Sequence, residues 1–314
     1  MAAHSNRDMP QPAAAARNRY IGILCTLVGA IGFSGKTVIV KLAYRYGIDT
    51  MSLLALRMLL AMPFFLGMAW WAGMPSSLTR RDWLLVVALG FTGYYLGSYL
   101  DLAGLQYITA GLGRLILYLY PTLVLVFSAV FLHQRIGRRE LVSLALSYGG
   151  IIVVFGTEMR YGGALSAIAL GGGLVFLSAV TYAAYLVAGS RLVRTLGSMR
   201  FTAYASLAAS FFVLATFFST RGTTALVVPR EVYGLTLLLA VFSTVLPLWF
   251  MAEGLKRIGA NQVALVACIG PVSTIGLAFL FLGEPVTPAQ MAGALLVLAG
   301  VMIISLKPAA SPRN

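Results

Sequence analysis

Three cations interrupt long apolar runs in this chain: Lys36, Arg57 and Arg114. A charge at membrane depth costs at least ~2.5 to 3.5 kcal/mol on insertion scales, so it normally faces a cavity or a partner. With the topology derived below, all three lie in the outer half of their runs at similar depth. Together they would line an external vestibule with positive charge, suited to a carboxylate or phosphate. Asp101, at the outer end of the third run, is the acid expected at that level. It is expected to pair with Arg114 across the short 102–108 connection, and it is the fallback site for a proton. For Lys36 and Arg57 the alternative to a ligand is structural pairing or snorkelling to the interface. Glu253, Lys256 and Arg257 sit at the inner end of the eighth run, where anchoring or gating is the expected role.

Aromatic residues fill out the candidate cavity: Tyr94, Tyr95, Tyr99, Tyr118, Tyr120, Tyr182, Tyr185 and Trp249. Each combines apolar surface with a hydrogen-bond donor, which suits amphipathic metabolites. Near helix ends the same residue types form an interfacial belt, the reading that fits Trp70, Trp71 and Trp83. Ser34, Thr181, Asn261 and Gln262 would add polar contacts or serve helix packing. Hydrolytic chemistry has little to work with, because His4 and His133 are the chain's two histidines and neither joins a nucleophile. No metal-ligand spacing occurs and no cofactor is expected. Gly171-Gly172-Gly173 is not followed by Lys-Ser/Thr, so it is not a phosphate loop.

The elements that must hold these groups are membrane helices. Hydrophobic residues make up 60% of the chain and charged residues 10%, against roughly 45–50% and 25% in soluble domains. Ten apolar runs, each about the length needed to cross a bilayer, are read at 20–43, 51–72, 82–102, 109–132, 139–156, 166–190, 200–219, 232–252, 260–282 and 288–306. The expected fold is an all-α integral membrane protein of ten transmembrane helices. Fifteen Lys and Arg fall on one side of this topology and five on the other. By the positive-inside rule both termini are cytoplasmic, in a multi-pass cell (inner) membrane. The lipid bilayer and a small-molecule substrate are the expected partners. The net charge of +14 needs no nucleic acid to explain it. Cys25 and Cys268 fall inside runs and are expected to be packing residues.

A shift of 150 residues lays the second half of the chain over the first, with six identities in the eighteen positions 104–121. The expected organisation is a disordered cytoplasmic tail (1–19), a first five-helix repeat (20–156), an external linker (157–165), a second repeat (166–306) and a cytoplasmic tail (307–314). Five spans are an odd number, so the second copy enters the membrane from the opposite side. Inverted repeats place a substrate site near the midplane, and here the two five-helix units would be the moving bodies. Pro121 and Pro271 correspond under the shift and fall near the middle of their spans. Each is expected to break its helix and free a carbonyl, at Leu117 and Ala267. Glycines such as Gly93, Gly97, Gly150, Gly293 and Gly300 are expected to let neighbouring backbones approach.

Gly104-Leu105-Gln106-Tyr107-Ile108-Thr109-Ala110-Gly111, followed by Tyr120-Pro121-Thr122, resembles the third-to-fourth-helix signature of EamA-type transporters in the drug/metabolite transporter superfamily. A second copy runs from Gly254 to Asn261 and ends in Gly270-Pro271. Gly283-Glu284-Pro285 is similar to the family's Gly-Glu turn between the ninth and tenth helices, and Lys41 and Arg57 fall where the family places cations. The first copy departs from the pattern with His133-Gln134-Arg135 in place of that turn, and Lys36 is a further departure. The resemblance implies a secondary transporter, an exporter, of a small organic metabolite, amino-acid-like or anionic, working by alternating access. An integral-membrane enzyme and a non-transporting receptor or scaffold are the other classes, and the duplication favours a carrier over both.

Overall fold

The computed structural model describes residues 12–73, 79–132, 136–160 and 164–305, and no strand occurs among them. His133-Gln134-Arg135, the first eleven residues and the 307–314 tail lie outside the described residues. The helices are α1 (Pro12–Tyr44), α2 (Thr50–Ala72), α3 (Arg80–Gly104), α4 (Ala110–Phe131) and α5 (Arg138–Arg160). They are followed by α6 (Leu165–Leu196), α7 (Ser198–Thr220), α8 (Arg230–Met251), α9 (Leu265–Leu282) and α10 (Pro288–Ser305). Nine are long and apolar enough to cross a membrane among the described residues, and a shorter apolar helix, Pro288–Ile303, completes the set. The protein is therefore a multi-pass helical membrane protein.

Several boundaries differ from expectation. Helix α1 begins at Pro12, so the last part of the expected tail is helical. Helix α5 runs to Arg160 rather than 156, which makes Glu158 a helical residue instead of part of a linker.

Local chemistry explains where the helices start. Asp49 caps α2 by accepting from Met51 N and Ser52 N, and Thr79 forms a capping box with Asp82 at the start of α3. Thr109 caps α4 through Leu112 N. Gly47 and Gly197, 150 apart, both adopt positive φ (75° and 80°) in the turn between the first and second helices of their halves.

Each half is broken at matching places. A π-helical segment interrupts α3 at Gly90–Leu96, and another interrupts α8 at Val241–Val245. Tyr118 (ψ −3°) ends the first segment of α4, while Cys268 (ψ −13°) does the same at its counterpart in α9. Pro121 and Pro271 follow these breaks in the first turn of the next segment, where a missing N–H leaves no intrahelical bond unmade. The freed Ala267 carbonyl is taken up by Tyr118 Oη at 2.8 Å. Between α8 and α9 the chain stays helical except at Gly259, whose φ of 75° turns it.

Packing shows the same reciprocity. A Cβ on Gly150 of α5 would stand 2.5 Å from the Gly293 carbonyl of α10, and one on Gly300 would stand 2.7 Å from the Ser143 carbonyl. Gly150 corresponds to Gly300, and Ser143 to Gly293, so one contact is the exchange of the other. Packing runs across the two five-helix repeats. One buried core joins α1, α2 and α3 to α7 and α8, and a second joins α4 and α5 to α6, α9 and α10. The halves interleave because the most extensive pairings, such as α1 with Leu246–Ala267 and α5 with α10, bury each helix against one from the other half.

Candidate functional site

Two helix pairs related by the shift, α2 with α7 and α3 with α8, meet around a small cavity. Its volume is about 30 Å³, and its walls are Arg57, Met58, Ala61 and Phe65 of α2, Tyr94 of α3, Thr202 and Ser206 of α7, and Thr244 of α8. Tyr94 and Thr244 occupy matching positions of the two π segments. A π turn widens the helix and redirects a side chain, which is why such turns recur at functional sites. Here the Thr244 hydroxyl donates to the Leu239 carbonyl five residues back, at 3.1 Å, and its oxygen lies 3.5 Å from Arg57 Nη2. Arg57 Nη1 and Ser206 Oγ are both buried without a hydrogen-bond partner. A water needs roughly 10–15 Å³ of such space, so the cavity has room for about two.

The other cations are placed differently from one another. Lys36 Nζ lies 2.6 Å from Asp101 Oδ2, with side-chain exposures of 16% and 7%. The expected Asp101–Arg114 pair is therefore not formed. Sequence proximity suggested it, but α3 presents Asp101 to α1, while Arg114 stands over the Tyr118 ring, 5.1 Å from its centroid. That contact is a cation–π interaction at the break in α4, and Arg114 Nε has no hydrogen-bond partner.

Four tyrosines form a continuous file towards the cavity. Tyr120 meets Tyr182 edge to face at 5.2 Å, Tyr182 stacks on Tyr185 at 6.0 Å, and Tyr185 meets Tyr94 edge to face at 5.1 Å. Tyr95 turns away, sharing a hydrogen bond with Thr216 at 3.1 Å. Trp249 is 60% exposed and Tyr99 38% exposed, so neither is a wall of the cavity. Both point outward because their helices turn other faces inward, and Trp70 and Trp71 are exposed as a belt requires. Gln262 is partly buried and lies outside the cavity wall. Ser34 donates to the Gly270 carbonyl at 2.8 Å, and Thr181 to the Ser178 carbonyl, which are packing roles.

A polar network missed at the sequence level ties the halves at one end of the bundle. Both Glu284 carboxylate oxygens accept from Ala110 N, at 3.0 and 2.9 Å, so the anion sits on the N-terminus of α4. Lys41 joins them, 3.3 Å from Glu284 Oε1 and donating to the Ile108 carbonyl at 2.7 Å. Thr109 Oγ1 donates to Glu158, and Arg45 to the Leu282 carbonyl. Asp101 is thus not the only acid near that end. The Gly-Glu turn and the 104–111 segment that holds Thr109 and Ala110 were both visible as motifs, but no spacing rule joins residues 174 apart. At the other end Arg257 pairs with Glu253 at 2.6 Å and donates to Asn18, while Arg200 donates to the Ala72 carbonyl.

A broader depression of about 340 Å³, lined by Arg80, Trp83, Leu84 and Val87, opens on the flank of α3. Leu84 is 71% exposed there, on a surface suited to acyl chains rather than to a polar solute. No group of His, Cys, Asp and Glu that could hold a metal ion occurs among the described residues.

The chain matches the EamA-like transporter family twice, over residues 20–156 and 169–306. It is 31% identical over 287 residues to the uncharacterized transporter YcbK of Bacillus subtilis (strain 168), covering 88% of this chain and 90% of that protein. It is 26% identical over 238 residues to a probable terminal-alkyne amino-acid exporter of Streptantibioticus cattleyicolor, covering 72% and 74%. A solved crystal structure at 18% identity superposes with a TM-score of 0.61 over 91% of this chain and 95% of that one, which shows a shared fold.

Proposed function

The chain belongs to the EamA-like transporter family, and from that premise we propose that this membrane transporter is a secondary exporter of a small organic metabolite. The observation that carries the reading is the matched breaks: π segments in α3 and α8 that each contribute a residue to a cavity shared by both halves, and interruptions at Tyr118 and Cys268 joined by the Tyr118–Ala267 bond. Broken helices at corresponding positions of a duplicated chain are a recurrent way to build a midplane site.

Ten spans in two inverted repeats complete the proposal. Helix α10, with 18 residues, is about 27 Å long at 1.5 Å per residue. The reciprocal Gly150–Gly293 and Gly300–Ser143 contacts support a pseudo-two-fold relation between the halves. With both termini in the cytoplasm, the Lys41–Glu284–Ala110 network becomes an external seal. Alternating access would then rock two mixed bodies, α1–α3 with α7 and α8 against α4–α6 with α9 and α10, rather than the sequence halves. The carboxylate of an anionic or amino-acid-like solute suits Arg57, and one relative is named a probable terminal-alkyne amino-acid exporter. Facilitated transport or exchange is the proposed mode.

The direct test is counterflow in liposomes reconstituted with purified protein and offered a panel of labelled metabolites. Saturable counterflow of at least one solute is expected. A monodisperse protein that exchanges none of the panel would overturn the proposal.

A further inference from the structure

We propose that the Arg57 cavity is a subsite for the carboxylate of an apolar monocarboxylate, one without an ammonium group; this rests on the carrier reading above. Three observations converge on it. Arg57 Nη1 and Ser206 Oγ are two buried hydrogen-bonding atoms left without partners in the wall of one cavity. A buried guanidinium N–H and a buried hydroxyl without partners are costly unless something completes them. Their number and the space of about 30 Å³ match two carboxylate oxygens, each replacing one water. A phosphate brings a third oxygen and up to two charges, for which the wall offers one cation.

The remainder of the wall decides what the carboxylate is attached to. Met58, Ala61 and Phe65 on one side and the Tyr94 ring on the other are apolar or aromatic, and from Tyr94 the tyrosine file continues to Tyr185, Tyr182 and Tyr120. The acid that would be needed for a substrate ammonium is already engaged, since Asp101 is held by Lys36 at 2.6 Å. Glu158 and Glu284 are committed to Thr109 and to Ala110 with Lys41. An anion with an apolar tail leaves no charge in the site unmatched, whereas a zwitterion does.

The test measures equilibrium binding of radiolabelled 3-phenylpropanoate to the detergent-purified full chain, in gluconate buffer. The neutral 3-phenylpropanamide, L-phenylalanine and chloride serve as competitors. The acid is expected to bind at least about tenfold more tightly than the amide, since a charge-assisted bond is at stake, and more tightly than phenylalanine. Arg57→Gln should weaken it by about 10- to 100-fold and Ser206→Ala by a few-fold. Ser206→Val fills the cavity while keeping the guanidinium, so it should abolish binding and decides the matter if Arg57→Gln does not fold. Equal binding of acid and amide, preference for phenylalanine, full displacement by equimolar chloride, or unchanged binding by Ser206→Val would each overturn the subsite. Arg57-dependent binding with no counterflow of any solute would leave the subsite standing and remove the carrier reading. Counterflow of other solutes with no binding of the acid would do the reverse.

Discussion

Arg57 in the first half of the chain and Leu207 in the second occupy the same position of the duplicated unit, on helices that face each other across the cavity. The same contrast holds for Lys36 against Leu186, Asp101 against Met251, Arg114 against Ala264, and Tyr94 against Thr244. Backbone features are kept in both copies: the positive-φ turns at Gly47 and Gly197, the π segments, and the breaks before the two prolines. Polar chemistry is kept in one. A scaffold that must interconvert between opposite-facing states needs equivalent backbones, but a single solute in an asymmetric site needs only one set of charges. Substitutions in the scaffold should therefore act alike in both halves, and substitutions in the lining should not.

The largest departure from symmetry is expected at the Lys36–Asp101 pair. Asp101→Asn leaves Lys36 buried beside a neutral partner, and breaking a buried pair this way costs about 3–5 kcal/mol. Installing the second half's residues instead, Lys36→Leu with Asp101→Met, removes both charges and should recover stability to within about 1 kcal/mol of the parent. Reversible unfolding in mixed micelles would read both values. If the double variant is no more stable than Asp101→Asn, the pair is not a self-contained charge inserted into an otherwise apolar position.

A smaller effect, this time equal in the two halves, is expected at the α5–α10 contact. Gly150→Ala and Gly300→Ala each press a methyl group onto a carbonyl of the facing helix. Overpacking of this kind costs about 1–3 kcal/mol. Gly149→Ala, with nothing within 4 Å of the added atom, should instead be neutral or gain up to about 1 kcal/mol in helix propensity. A thermal-shift series on the three variants checks this, and a large difference between Gly150→Ala and Gly300→Ala would deny the exchange relation between the contacts.

Glu284 tests the seal between the halves, with a more modest loss. Glu284→Gln keeps an acceptor for Ala110 N but removes the charge facing Lys41 and the α4 N-terminus, an interaction in the range of about 0.5–2 kcal/mol. Under the proposed orientation the external face should open more readily. Cysteine-accessibility labelling at residues such as Leu105, which is buried at that end, should then rise severalfold from outside. Unchanged labelling would mean that the network does not hold that face closed.

Helix existence and the duplication were legible because hydropathy and identity are local or fixed-offset signals: long apolar runs located the membrane spans, and Pro121 and Pro271 marked the broken helices. What stayed hidden depended on rotation about a helix axis, which hydropathy does not encode when a span is apolar all round. Trp249 and Tyr99 were assigned inward and face out. Asp101 was given the neighbour nearest in sequence and took Lys36 from another helix. Arg57 was identifiable by its cost in lipid, but Ser206, which shares its cavity, carried no signal, because a serine in a membrane helix is ordinarily a packing residue. The π segment at Gly90–Leu96 was hidden as well, since no proline or charge marks it, whereas Pro247 stands just beyond Val241–Val245, four residues after Ser243.

The smallest predicted effect lies where the two broken helices touch. Tyr118 donates to the Ala267 carbonyl, so the first half's break caps the second half's, while Cys268, the counterpart of Tyr118, has no phenol with which to return the bond. Hydrogen bonds between membrane helices average about 0.6 kcal/mol, because the unfolded chain in lipid finds other partners. Tyr118→Phe should therefore lower stability by about that amount while keeping the ring beneath Arg114. Its effect on exchange rate should exceed its effect on stability if opening the site requires the two breaks to separate, since the bond is then lost on the way to the other state. Counterflow rate and unfolding free energy measured on the same variant separate the two. A rate change no larger than the stability change would place the bond in both states and leave the α4 and α9 breaks as fixed parts of the scaffold.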